Sequence, residues 1–181
     1  MVRRVCFDIG SNYYWSSLKG FLNEPSQSRA CFQDKKLKFH AATTFDSYTR
    51  KFTDFTDPKS LLDHLQSAEE IITFNGRTCD LIVLEKILGE EALASVWNKP
   101  HHDLRGWKGF SLADSVKSAL PNKVGLFEST ERKRLSTLLK GTCDEFIRGH
   151  LANTYRDTKF TYALFLEYLK TGSREYTFRD S

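Results

Sequence analysis

Three aspartates stand where a folded chain can gather them. Asp8 ends the apolar run Val5-Cys6-Phe7 and is followed by Ile9-Gly10-Ser11. Asp80 opens the apolar stretch Leu81-Ile82-Val83-Leu84, soon after the run Ile71-Ile72-Thr73-Phe74 has stopped at Asn75-Gly76. Asp157 lies near the start of a long segment with helical periodicity. Hard divalent cations such as Mg2+ and Mn2+ take oxygen ligands. Two such ions about 4 Å apart serve in-line phosphoryl displacement, one activating water and the other stabilising the leaving oxygen. Each aspartate also has a plainer reading. Asp80 and Asp157 are favoured at a helix N-terminus by the dipole alone. Asp8 is different, because a carboxylate ending an apolar strand is partly desolvated and wants a cation or donors nearby.

In open α/β sheets, sites collect beyond the carboxyl ends of strands and at the helix starts facing them. The elements must therefore bring all three aspartates to that edge. Residues 2–9 predict a buried strand that stops at the Gly10-Ser11-Asn12 turn. Ala30-Cys31-Phe32 and Leu37-Lys38-Phe39, separated by Gln33-Asp34-Lys35-Lys36, predict a hairpin. Asp57 as N-cap and Pro58 in the first turn open a helix whose apolar face is Leu61, Leu62 and Leu65. A strand over 70–74 then leads through Asn75-Gly76 into a helix over 80–88, with Leu81, Leu84, Ile87 and Leu88 on one face. Further helices are expected over 90–97, 111–120, 131–139, 143–149 and 153–169, with a brief strand at 101–104 and a loop at 121–130. The helix over 153–169 has a wide apolar face that includes Tyr155, Phe160, Leu164 and Leu169. Residues 1–170 make one α/β domain, a central mixed sheet flanked by helices, and residues 171–181 make a polar tail.

Composition bounds the rest. The 181 residues are 40% apolar, 28% charged and 13% aromatic, enough for a core and against disorder or a fibrous class. A net charge of +4 permits a polyanionic partner without demanding one. No run approaches the ~18 apolar residues of a membrane span, and the N-terminus reads as a strand and not as a signal peptide. The four cysteines, Cys6, Cys31, Cys79 and Cys143, show no C-x-x-C spacing. They read as buried reduced thiols of a cytoplasmic protein, and a structural zinc site has little support.

Three segments together resemble a family. Phe7-Asp8-Ile9, then Ile71 to Leu84 with Asn75-Gly76 and Asp80, then Tyr155-Arg156-Asp157-Thr158 with Thr161 and Leu164-Phe165, are similar to the three motifs of the DEDD (DnaQ-like) 3′–5′ exonucleases. The middle motif is the most specific. His102-Asp103-Leu104 followed by Ser111-Leu112 resembles the connecting segment of the group akin to family B polymerase proofreading domains. The resemblance runs from Val5 to Leu169. It implies a ribonuclease H-like fold, Mg2+ or Mn2+ held by Asp8, Asp80 and Asp157, and hydrolysis at a single-stranded 3′ end of DNA or RNA. It also implies that Asn75 and Gly76 shape the site.

Two positions depart from the family pattern. Its first motif is Asp-x-Glu, and here Gly10 replaces the Glu that in the family bridges metal and attacking water. Its third motif has a Tyr four residues, or a His five residues, before the last Asp, and here Asn153 and Ala152 stand there. Tyr155, two residues before Asp157, points away from it on a helix and reads as a core aromatic. His150 is the candidate general base if the segment before Asp157 is a loop. The alternative is an inactive member of the fold that binds nucleic acid or a protein through the old groove. Tyr13, Tyr14 and Trp15 follow the first motif and either stack a terminal base or pack on the core. Asp8-Ile9-Gly10-Ser11 also resembles the phosphate loop of actin-like ATPases and of some junction resolvases. For the ATPases this chain is too short, and for the resolvases the Asn75 to Asp80 motif has no place. Arg132, Lys133 and Arg134, or Lys35, Lys36 and Lys38, either line a phosphate track or form solvated faces. His101-His102-Asp103 reads as a strand-end turn in which Asp103 accepts from nearby backbone.

Overall fold

The computed structural model describes residues 2–12, 24–104, 112, 115–116 and 145–171. Its elements in chain order are β1 (Arg4–Ser11), α1 (Pro25–Phe32), β2 (Phe39–Asp46), β3 (Lys51–Phe55) and α2 (Pro58–Gln66). Then follow β4 (Glu70–Thr73), α3 (Asp80–Leu88), α4 (Glu90–Trp97), β5 (His101–Asp103) and, after an interval, the long helix α5 (Glu145–Thr171). Leu112, Ser115 and Val116 are helical, as expected of 111–120. The expected loop at 121–130, the helix over 131–139 with its basic cluster, Cys143 and residues 172–181 lie outside the described residues, as do Tyr13, Tyr14 and Trp15.

The strands form one mixed sheet in the order β3-β2-β1-β4-β5. β2 is antiparallel to both β1 and β3, whereas β4 is parallel to both β1 and β5. Strand alternation sorts the side chains of β1. Val5 and Phe7 join Leu61, Leu65, Ile71, Leu81, Leu84, Leu93 and Val96 in a core beneath α2, α3 and α4. Cys6 joins Ile72, Leu164, Phe165 and Tyr168 in a second core beneath α5. Asp8 and Gly10 share the Cys6 face and so look towards α5. The expected α/β class is therefore present, as a mixed sheet flanked by helices. None of the described helices is long and apolar enough to cross a membrane.

Four expectations are corrected. The hairpin placed around residues 33–36 is absent, because Pro25–Phe32 is a helix and the true hairpin pairs β2 with β3. Pro25 in the first turn and a reciprocal Glu24–Gln27 capping box start that helix, and its buried residues Ser28 and Phe32 recur at helical spacing. The short run Ala30-Cys31-Phe32 carries no β-branched residue to favour a strand. Next, the two helices expected over 143–149 and 153–169 are one continuous helix, so Asp157 is in a helix interior and not in a first turn. Gly149 alone does not break it, since an isolated helical glycine costs only about 1 kcal/mol relative to alanine. The helix also takes in Thr171, which was assigned to the tail. Among the cysteines, Cys6 is buried and reduced as expected, but Cys31 is exposed and Cys79 half-buried.

Candidate active site

β4 is shorter than its neighbour. Its parallel pairing with β1 ends at Cys6–Ile72, so the last residues of β1 run on beyond it. The N-terminus of α3 fills that place. Asp80, 5% exposed, accepts a hydrogen bond at 3.0 Å from the Ile9 N–H through Oδ1. The aspartate that opens α3 is thereby tied to the strand end that carries Asp8.

The turn between β4 and α3 sets this arrangement. Asn75 has a left-handed backbone, φ 68°, which asparagine tolerates better than most residues. Its Oδ1 accepts from Thr78 Oγ1 at 2.7 Å. Gly76 donates its N–H to Thr73 Oγ1 at 3.1 Å, and a Cβ on Gly76 would stand 2.5 Å from the Thr73 side chain. Buried Asp103 receives the N–H groups of Asn75 and Arg77 on its two carboxylate oxygens. Asp103 thus accepts from backbone as expected, although the donors are on the neighbouring β4–α3 turn. His101 donates to or accepts from Thr73 Oγ1 at 2.7 Å. Burial first, then the nearby Arg77 and His102, push its pKa down to about 3, so the ring is neutral.

The third aspartate arrives on α5, which packs across β1 and β2. Cys6 Sγ lies 3.4 Å from the Thr158 carbonyl, Thr158 Oγ1 donates to the Thr43 carbonyl at 2.9 Å, and the Thr43 and Thr154 hydroxyls are 2.9 Å apart. Thr43 Oγ1 also donates to Asp54 Oδ1 at 2.9 Å. Asp8, Thr43 and Asp54 are cross-strand partners in one row over β1, β2 and β3. Asp157 is half-buried and pairs with Arg156 at 2.8 Å.

Burial and repulsion act on the same three carboxylates. The Asp8 carboxyl is held well above its ordinary pKa, first by burial, then by Asp80 and Asp157, with Arg156 pulling the other way. Asp80 is pushed up to about 7, chiefly by burial, with Asp103 and Asp157 adding and the Ile9 N–H opposing. Asp157 is raised by burial and drawn back by Arg156. So β1, α3 and α5 bring Asp8, Asp80 and Asp157 within electrostatic reach. Among the described residues, however, no three His, Cys, Asp or Glu side chains are gathered tightly enough to cage an ion.

His150 is not on a loop; the segment before Asp157 is helical. Its ring packs on Gly10, where a Cβ would stand 2.7 Å from Nδ1 and 3.2 Å from both Cβ and Cγ. It also meets His40 with ring centroids 4.6 Å apart, and Phe146 edge-on at 4.7 Å. Tyr155 is a buried aromatic against Phe52, as expected.

Sequence reading did not single out Thr43, Asp54 or Thr154, and it took Thr158 only as part of the third motif. A local signal existed for Thr154. Thr154, Thr158 and Thr161 recur at helical spacing within an otherwise apolar helix face, and all three are buried. No protein-family model matches the chain, and no curated protein is significantly similar to it.

Proposed function

We propose that this protein is a ribonuclease H-like nuclease of the 3′–5′ exonuclease type, acting at the edge where β1, α3 and α5 meet. The observation that carries the reading is the convergence of Asp8, Asp80 and Asp157, from three separate elements, to where each resists ionisation. Burial drives the shift in all three, and mutual repulsion adds to it at Asp8 and Asp80. Surplus buried negative charge of this kind is what a hard divalent cation relieves. The mixed sheet, with β2 alone running against the other four strands, is the supporting observation at the level of fold.

The donor set fits Mg2+ or Mn2+ in kind, being all carboxylate. In spacing it is looser than a formed cage. Asp8, Asp80 and Asp157 would hold the ion, and Asp157 would exchange its Arg156 partner for it. A cation there supplies polarisation of a phosphodiester and activation of water. The chain's own contribution is to fix Asp80 on the Ile9 amide, to lock the Asn75–Gly76 turn on Asp103, and to seat α5 through Thr154 and Thr158.

Single-stranded DNA and RNA labelled at either end, incubated with Mg2+ and then Mn2+, test this directly. The expected outcome is stepwise shortening from the 3′ end, reduced about 100-fold or more by Asp80→Asn. A second reading, a binding protein without hydrolysis, is favoured by Gly10, whose missing side chain is replaced in space by the His150 ring. Absence of cleavage, together with absence of cation binding by calorimetry, would establish the second reading.

A further inference from the structure

Arg156 and Asp157 are neighbours in sequence, yet their side chains pair. Arg156 Nε lies 2.8 Å from Asp157 Oδ1 within α5. Successive residues on a helix do not face each other, so the guanidinium must fold back to reach that oxygen. Its charge extends beyond Asp157. On β1 it favours the ionised form of Asp8, against burial and the charges of Asp80 and Asp157. The guanidinium therefore stands on the acidic side of α5. Lys159, three residues on, turns to the other flank: its Nζ lies over the Tyr155 ring, 5.8 Å from the centroid, and Tyr155 packs on Phe52 of β3. The pairs of Arg3 with Asp46, Arg4 with Glu70 and Arg29 with Glu85 each join distant parts of the chain. The Arg156–Asp157 pair spans one peptide bond and ties no two elements. Its side chains are 40% and 30% exposed, so the guanidinium can leave for solvent. A pair this exposed is weak, worth a factor of about 5 or less in an equilibrium constant.

We propose that Arg156 is a built-in counter-charge of this site, holding Asp157 until a divalent cation displaces it. The inference rests on the nuclease reading above, because it takes the three aspartates as the ligands of that cation. The entering ion needs the carboxylate oxygen that Arg156 holds. The guanidinium cannot give up its proton to make room, since it stays charged throughout the pH range of a folded protein. Two positive charges a few ångströms apart repel, so one of them must leave. The acidic edge then keeps one positive charge in either state. The arginine also sets a threshold for cation binding. It competes from within the chain, at an effective concentration that dilution does not lower.

Two measurements on the full chain decide it. Calorimetry with Mn2+ alone tests the competition. Arg156→Gln should bind Mn2+ about 3–10 times more tightly than wild type. Lys159→Gln removes the same charge from the other flank of α5 and should change the Kd less than about 2-fold. Side-chain NMR of wild type reads the exchange itself. The Arg156 Nε–H signal should move, as Mg2+ is added, towards its position in metal-free Asp157→Asn. Equal Kd values in wild type and Arg156→Gln, or an Nε–H signal unmoved at saturating Mg2+, would overturn this inference and leave the nuclease reading standing. Weaker binding in Arg156→Gln would do the same, because the arginine would then support the ligand set and not rival the ion. A matching gain in Lys159→Gln would reduce the effect to net charge and overturn the inference as well. Absence of Mn2+ binding in wild type and Arg156→Gln alike would overturn both readings.

Discussion

The β4–α3 turn depends on very little at the level of single residues, and each part is specific. Gly76 has no space for a methyl group, because the Thr73 side chain lies where its Cβ would be and Thr73 Oγ1 receives the Gly76 N–H. Gly76→Ala must therefore push Thr73 aside, break that hydrogen bond and disturb the Asn75 and Arg77 amides that bind Asp103. The expected cost is about 1–3 kcal/mol, read as a lower midpoint in urea unfolding with an unchanged slope. An unchanged midpoint would mean that the turn relaxes freely and does not position α3. The Asn-Gly pair was legible in the sequence as a turn. Its anchor was not, since Asp103 is brought to it by the pairing of β4 with β5, and register is not written in either segment alone.

Elements were read well where the signal was local and badly where length or partner decided the outcome. Asp57 was expected to cap a helix, and it accepts from the Ser60 N–H at 2.7 Å at the head of α2. The strands carrying Val5 to Asp8 and Ile71 to Thr73 were plain apolar runs. By contrast, the short run ending in Phe32 suits helix or strand, and Pro25 seven residues earlier settles it. Helix α5 was expected in two pieces, one ending at Gly149 and the next starting at Asn153, and that reading left His150 between them. A measurement at position 149 tests the continuity. A Cβ there would meet nothing within 4 Å, so Gly149→Ala adds no clash and removes backbone entropy from the unfolded chain. If α5 is continuous, the variant gains about 0.5–1 kcal/mol, a rise in Tm of roughly 1–4 °C. A loss of stability would indicate a backbone bend at 149 that alanine cannot adopt.

Across the whole molecule, two sets of carboxyl groups respond to pH in opposite senses. Asp46, Glu70 and Glu85 are held below their ordinary pKa values, Glu85 chiefly by its hydrogen bond to Arg29. For Asp46 and Glu70 burial is the largest single influence and acts upward, but Arg3 with the Thr49 and Tyr48 amides at Asp46, and Arg4 with His102 at Glu70, together outweigh it. Their contributions are present at neutral pH and are lost as pH falls through the depressed values. Asp8, Asp80 and Asp157 are shifted upward, so the folded chain holds protons that the unfolded chain releases. Stability from these groups is complete below the ordinary carboxyl pKa of about 4 and declines as pH rises. For Asp80 the decline ends near its folded value of about 7. Comparing wild type with Asp80→Asn isolates this contribution, because the neutral amide keeps an oxygen for the Ile9 N–H. The variant should gain stability relative to wild type between pH 5 and 8, and a difference that does not change with pH would refute the shift. The same charge makes cation binding compete with protons. Mn2+ at about 100 times its Kd stabilises a folded protein by about 2.7 kcal/mol, or roughly 5–10 °C in a chain of this size. That gain should appear at pH 8, shrink at pH 5 and vanish in Asp8→Asn. A Tm at pH 8 indifferent to Mn2+ would mean that the three carboxylates meet without drawing in a cation, and the binding-protein reading would then account better for the site.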